Sequence, residues 1–248
     1  MLYGCDDQDK RISAEDAERS GIYSCPVCGA KLVLKRGDIN IPHFAHEKNS
    51  KCDSLLENKM TLWHIQHQMY FGSDEREVIL QADGVKHIAD VKTGNVIIEF
   101  QHSPISYDDF KERSDFYRGF GTIIWVFDMK DKVDRIHTYV AYSWAKECDI
   151  FCFLKENTLS KPPYWSCWKC QYNRAKATKV FNWKNSSRML GKCNFEKMDS
   201  SGMKCFFQIG NDEFVHVKWN KDGVSLFGGD VMSLDGFHKF IRETAMKE

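Results

Sequence analysis

Between Leu55 and Lys130 the apolar positions change period several times, and the order of those changes predicts a fold. Leu56, Met60, Trp63 and Met69 recur at helical spacing within Leu55 to Tyr70. Three strand-like runs follow, EREVILQ, HIADVKT and NVIIEFQ, and Thr93-Gly94-Asn95 joins the second to the third as a hairpin. Pro104 ends the third strand, and Ser106 or Asp108 caps a helix running to about Phe120. GTIIWVFDM is then a continuous apolar strand of the kind buried on both faces. Helix, three strands, helix, strand predicts a small α/β sheet with helices on its faces.

The flanks have different patterns. Residues 1–54 hold Cys25-Pro26-Val27-Cys28-Gly29, a strand-like LVLKRG, then Pro42-His43-Phe44-Ala45-His46 and Cys52. Zinc takes soft thiolate and imidazole donors in a tetrahedron, with C-x-x-C presenting two sulfurs from one turn and a second pair arriving from a returning hairpin. Five candidates compete for four places, and strand alternation turns His43 and His46 to opposite sides. The favoured set is Cys25, Cys28, His46 and Cys52, in a zinc-ribbon-like module whose zinc is structural. Residues 55–155 form the core. Residues 156–248 open on a linker, NTLSKPP at 157–163, and continue through an aromatic-rich stretch. Two strands, KCFFQIG and EFVHVKW, meet near Asn211-Asp212, and a helix from Ser233 closes a small α+β domain.

Composition narrows the class. In 248 residues, 42% are hydrophobic and 28% charged, enough to build real cores. No run approaches the roughly eighteen apolar residues of a membrane span, and MLYGCDDQDK lacks a signal peptide's basic start, so a cytoplasmic protein without membrane association is expected. Ten cysteines in such a setting favour metal binding over disulfides. Net charge is zero, so any affinity for polyanions must come from local segregation of charge.

The candidate chemistry lies on the hairpin. On one strand Glu99 and Gln101 share a face, with Ile98 and Phe100 on the other, and Asp90 on the partner strand can point to the side of Glu99. Two carboxylates that close repel unless a cation neutralises them, and hard oxygen donors suit Mg²⁺ or Mn²⁺. Such a metal lowers the pKa of a water and stabilises a pentavalent phosphate. His64, on the preceding helix, is either a further ligand or proton-transfer group or an ordinary interfacial histidine. The competing reading of Asp90 and Glu99 is a solvated acidic face.

YSCPVCGAKLVLKRG, IPHFAH, the helical WH, HIADVKTGNVIIEFQHSPIS and ERSDFY…IIWVFD, in this order, closely resemble the competence protein CoiA-like nuclease family. The resemblance runs to about Asp128. It implies a PD-(D/E)xK restriction-endonuclease-like core and a metal-dependent deoxyribonuclease acting in DNA uptake, recombination or defence-type processing. By position, Asp90 and Glu99 would hold the metal, Gln101 would take the place of the usual lysine, and His64 would match the motif residue on the first helix. A neutral amide only exchanges hydrogen bonds where lysine offsets phosphate charge, so catalysis would lean on the metal, and a weakly active or inactive DNA-binding scaffold is the alternative.

Arg113 and Tyr117, one turn apart on the second helix, are either phosphate contacts or part of its solvated face. Between Lys155 and Asn194 the basic residues Lys155, Lys161, Lys169, Arg174, Lys176, Lys179, Lys184, Arg188 and Lys192 face one acid, Glu156, and are interleaved with Tyr164, Trp165, Trp168, Tyr172, Phe181 and Trp183. That mixture suits single-stranded or branched DNA, with RNA an open alternative, or else the aromatics form a small core under solvating lysines. Cys167 and Cys170 are a weaker second zinc candidate with Cys193 and Cys205.

Overall fold

The computed structural model describes residues 1–37, 41–47, 52, 61–130, 136–143, 152–155, 176–183, 204–221 and 226–246. The chain forms two compact units, one of Met1–Ser103, Glu112–Ile123 and Thr244–Glu248, the other of Pro104–Lys111 and Ile124–Glu243.

The first unit begins with five short strands, β1 (Tyr3–Cys5), β2 (Arg11–Ser13), β3 (Tyr23–Ser24), β4 (Lys31–Lys35) and β5 (His43–His46). They make an antiparallel sheet in the order β2-β1-β3-β4-β5. Tyr23, Cys25, Leu32 and Phe44 are its buried centre. Gly4 lets β1 lie close on that centre, since a Cβ there would stand 3.1 Å from a Leu32 methyl and 3.3 Å from the Phe44 ring.

Helix α1 (Leu62–Gln68) follows, with the Thr61 hydroxyl accepting from His64 N at 3.3 Å as N-cap. It buries Trp63 and Ile65, whereas Met69, expected on the apolar face, is the C-cap and exposed. Leu56 and Met60 lie outside the described residues. The three expected strands then form an antiparallel meander, β6 (Arg76–Ala82), β7 (Val85–Thr93) and β8 (Val96–Gln101). Gly94, with φ of +52°, opens the two-residue turn that pairs Thr93 with Val96. Every residue of β8 is buried. Ser106 caps helix α2 (Tyr107–Arg118), its hydroxyl accepting from Asp109 N at 3.1 Å.

The second unit is a sheet of β9 (Thr122–Asp128), β10 (Ile136–Ser143), β11 (Cys152–Lys155), β12 (Lys176–Trp183), β13 (Lys204–Gly210), β14 (Glu213–Lys221) and β15 (Leu226–Met232), in the order β11-β10-β12-β15-β14-β13-β9. Strand β9 runs parallel to β13, Ile124 facing Lys204 and Asp128 facing Gln208. The expected Asn211-Asp212 turn joins β13 to β14, and helix α3 (Leu234–Ala245) closes the unit. Phe214 stacks on Phe237 at 4.7 Å, while Phe206 meets Phe237 edge-on at 5.1 Å. The mixed α/β class is as expected. Among the described residues no helix is long and apolar enough to cross a membrane.

Candidate functional site

Asp90 sits where the meander comes apart. The register pairing Val91 with Ile98 sets Asp90 opposite Glu99, but the backbone ladder between β7 and β8 stops at Val91 and Ile98. Beyond it the Asp90 carboxylate takes the Phe100 N–H at 2.8 Å, and the Gln68 side-chain amide donates to the Asp90 carbonyl at 3.1 Å. The β6–β7 ladder also skips this level, passing from Arg76–Val91 to Val78–Ala89. The skipped residue, Glu77, has φ of +44°, a left-handed conformation that costs a non-glycine residue about 1 kcal/mol or more. Its carboxylate turns to the N-terminal strands and accepts from Leu2 N at 2.7 Å and Tyr3 N at 3.1 Å. Asp90 is thereby released from both ladders and held by side chains.

Charge then gathers around it. His64 Nε2 lies 2.8 Å from Asp90 Oδ1, both side chains mostly buried. Burial disfavours the imidazolium, yet the Asp90 carboxylate outweighs it and raises the His64 pKa. Glu99 is 4% exposed, which removes the solvated-face reading. Its Oε2 takes Arg113 Nη1 at 3.2 Å, its Oε1 is buried without a well-aligned hydrogen bond, and the nearby Tyr117 hydroxyl favours its charged form. Desolvation pushes the Glu99 carboxyl up to about 8 against the pull of the Arg113 guanidinium, with the Asp90 charge adding to the rise. A buried carboxylate beside a half-buried one fits a hard divalent cation, which would complete the Glu99 oxygen and displace the proton.

The structure brings Asp90, Glu99 and His64 together and leaves Gln101 at the margin. The Gln101 amide, 9% exposed, donates to Ser103 O at 2.5 Å. Arg113 and Tyr117 require a correction. Both are buried, at 5% and 0% exposure, so neither lies on a solvated face. They line the inner side of α2, where Arg113 meets Glu99 and the Tyr117 hydroxyl donates to Ile88 O at 2.9 Å. Sequence reasoning missed Gln68 and Glu77. Gln68 was legible as the i+4 neighbour of His64, but the backward turn of Glu77 leaves no signal in an alternating strand.

A second cluster lies in the N-terminal sheet. Single donor atoms of Cys25, Cys28, His46 and Cys52 all fall within 4.8 Å of one another. Bonds of about 2.3 Å to sulfur and about 2.0–2.1 Å to nitrogen imply tetrahedral edges of about 3.8 Å between sulfurs and about 3.5 Å between sulfur and nitrogen. The Cys25 and Cys52 sulfurs stand 3.8 Å apart, and Cys28 Sγ stands 3.5 Å from His46 Nε2. Gly29, at φ of +72°, closes the knuckle by donating to Cys25 O at 2.8 Å. His43 is left out, its Nδ1 lying 2.9 Å from Ile41 O. These four residues could bind zinc.

The remaining expectations lie mostly elsewhere. Cys205 is buried on β13, while Cys167, Cys170 and Cys193 fall outside the described residues. Lys176 and Lys179 fall on β12, and Lys184 and Arg188 lie outside the described residues.

Residues 6–55 match the N-terminal domain of Competence protein CoiA, and residues 86–209 match its nuclease-like domain. Competence protein CoiA of Bacillus subtilis (strain 168) is 28% identical over 111 residues, which are 41% of this chain and 30% of that protein. No solved structure matches the chain. The acidic hairpin lies within the nuclease-like match and all four zinc-type donors lie within the N-terminal match, so the chain belongs to the CoiA-like family.

Proposed function

We propose that this chain is a metal-dependent nuclease that hydrolyses DNA phosphodiester bonds, with Asp90 and Glu99 holding Mg²⁺ or Mn²⁺. The observation that carries the reading is the pairing of the buried Glu99, whose Oε1 makes no well-aligned hydrogen bond, with the half-buried Asp90. Such a cation supplies a water of lowered pKa and positive charge for the transition state. Asp90 is oriented for this by Phe100 N and by His64, and Gln68 holds its backbone out of the ladder. His64 steadies the Asp90 oxygen and carries a proton beside the reacting centre. Gln101 contributes no charge. Cys25, Cys28, His46 and Cys52 hold a structural zinc that fixes the N-terminal module as residues 1–54, ahead of a nuclease core and a C-terminal domain. The basic and aromatic residues between Lys155 and Asn194, Lys176, Lys179, Lys184 and Arg188 among them, grip single-stranded or branched DNA. Competence, the process named for the family, supports DNA over RNA.

A catalytically weak DNA-binding scaffold is the second reading, and one observation favours it: the Gln101 amide turns an N–H to Ser103 O. Labelled single-stranded, duplex and forked DNA, with RNA counterparts, incubated with Mg²⁺ or Mn²⁺, separates the two. Cleavage that Asp90→Ala and Glu99→Ala abolish while the proteins stay folded supports the nuclease. Wild type that binds DNA and cuts no substrate with either metal rejects it and leaves the scaffold.

A further inference from the structure

Resting on the nuclease reading, we propose that Arg113 is the positioning cation of the acidic site: it holds Glu99 in place before a metal binds, then remains as the positive charge that phosphate meets. One acid is buried and the other half-buried, and a phosphodiester brings further negative charge to them. Gln101 adds no positive charge, and its amide donates to Ser103 O. His64 is engaged with Asp90. Arg113 reaches the other acid from α2, with Nη1 3.2 Å from Glu99 Oε2 and both side chains about 5% exposed. A guanidinium brought this deep is held by its partner charge, because an uncompensated buried cation is strongly unfavourable.

The arrangement has a signature that a purely structural arginine would not give. Arg113 and the divalent cation compete for one carboxylate, so neutralising Arg113 should tighten metal binding while slowing turnover. A residue that only supported the fold would weaken both.

The test uses the full chain. Mn²⁺ affinity is measured by titration calorimetry without DNA, and kcat and KM are measured on the best DNA substrate. Arg113→Gln is expected to bind Mn²⁺ at least about tenfold more tightly, the scale of removing one nearby charge under water-like screening. Its kcat should fall about 10²-fold, the usual loss for one stabilising group, with KM nearly unchanged. Arg113→Lys, which keeps the charge, should recover kcat to within about tenfold of wild type. Folding is checked by thermal unfolding, and if Arg113→Gln does not fold, Arg113→Lys decides alone. A folded Arg113→Gln with unchanged or weaker Mn²⁺ affinity, or with wild-type kcat, overturns the assignment. So does a folded Arg113→Lys no more active than Asp90→Asn. Wild type that neither binds Mn²⁺ nor cleaves DNA overturns the nuclease reading itself, a result distinguishable from the others.

Discussion

Two clusters of metal-type donors lie in one structural unit and are built on opposite plans. The Cys25, Cys28, His46 and Cys52 group offers four soft donors at tetrahedral spacing around a turn, with no place left for a substrate. The Asp90 and Glu99 group offers hard oxygens, one of them without a well-aligned hydrogen bond, at a level where both strand ladders are interrupted. The first plan favours a permanent ion that holds structure; the second favours an exchangeable ion and chemistry. Loss of the ion should therefore have different consequences at the two sites.

The largest effect is expected at the soft cluster. Structural zinc contributes on the order of 10 kcal/mol to small modules. Purified chain should hold one zinc by elemental analysis. Its removal with a strong chelator, or Cys25→Ser, should lower the Tm and expose the N-terminal strands to amide exchange. Full protection without zinc would break the distinction between the plans.

Next comes Asp90→Ala, expected to lower cleavage by about 10³-fold or more while Tm and zinc content stay near wild type. The effect is confined because Asp90 is held by Phe100 N, Gln68 and His64 and belongs to no ladder. Collapse of the fold in this variant would make the acidic site a structural one as well.

These contrasts were unevenly legible in the sequence. The zinc-type donors and the Asp90–Glu99 pairing could be read because spacing around a knuckle and a two-residue turn fix geometry locally. Arg113 and Tyr117 could not be placed, since an i, i+4 polar pair looks the same whether its helix face meets water or a buried carboxylate. The parallel pairing of Ile124 with Lys204 joins segments far apart in the chain, a contact that no local period encodes. Glu77 reads as an ordinary alternating strand residue, and only a left-handed φ turns its carboxylate away to Leu2 and Tyr3.

The last expected effect concerns protons at the acidic site, and its sign is fixed. The folded Glu99 carboxyl titrates at about 8, while an unfolded glutamate titrates near its ordinary value of about 4.3. Between those values the folded state holds a proton that the unfolded chain has released, so stability contributed by the protonated form falls as pH rises through the window. The raised pKa of His64 works in the same direction over the upper part of it. Metal-free protein should therefore lose Tm from pH 5 to pH 8, Glu99→Gln should flatten most of that slope, and Mg²⁺ or Mn²⁺ should restore Tm most at pH 8, where least proton must be displaced. The thiol and imidazole cluster takes no part in the Glu99 titration, so a Tm slope insensitive to both Glu99→Gln and added Mg²⁺ would place the pH response outside the acidic site.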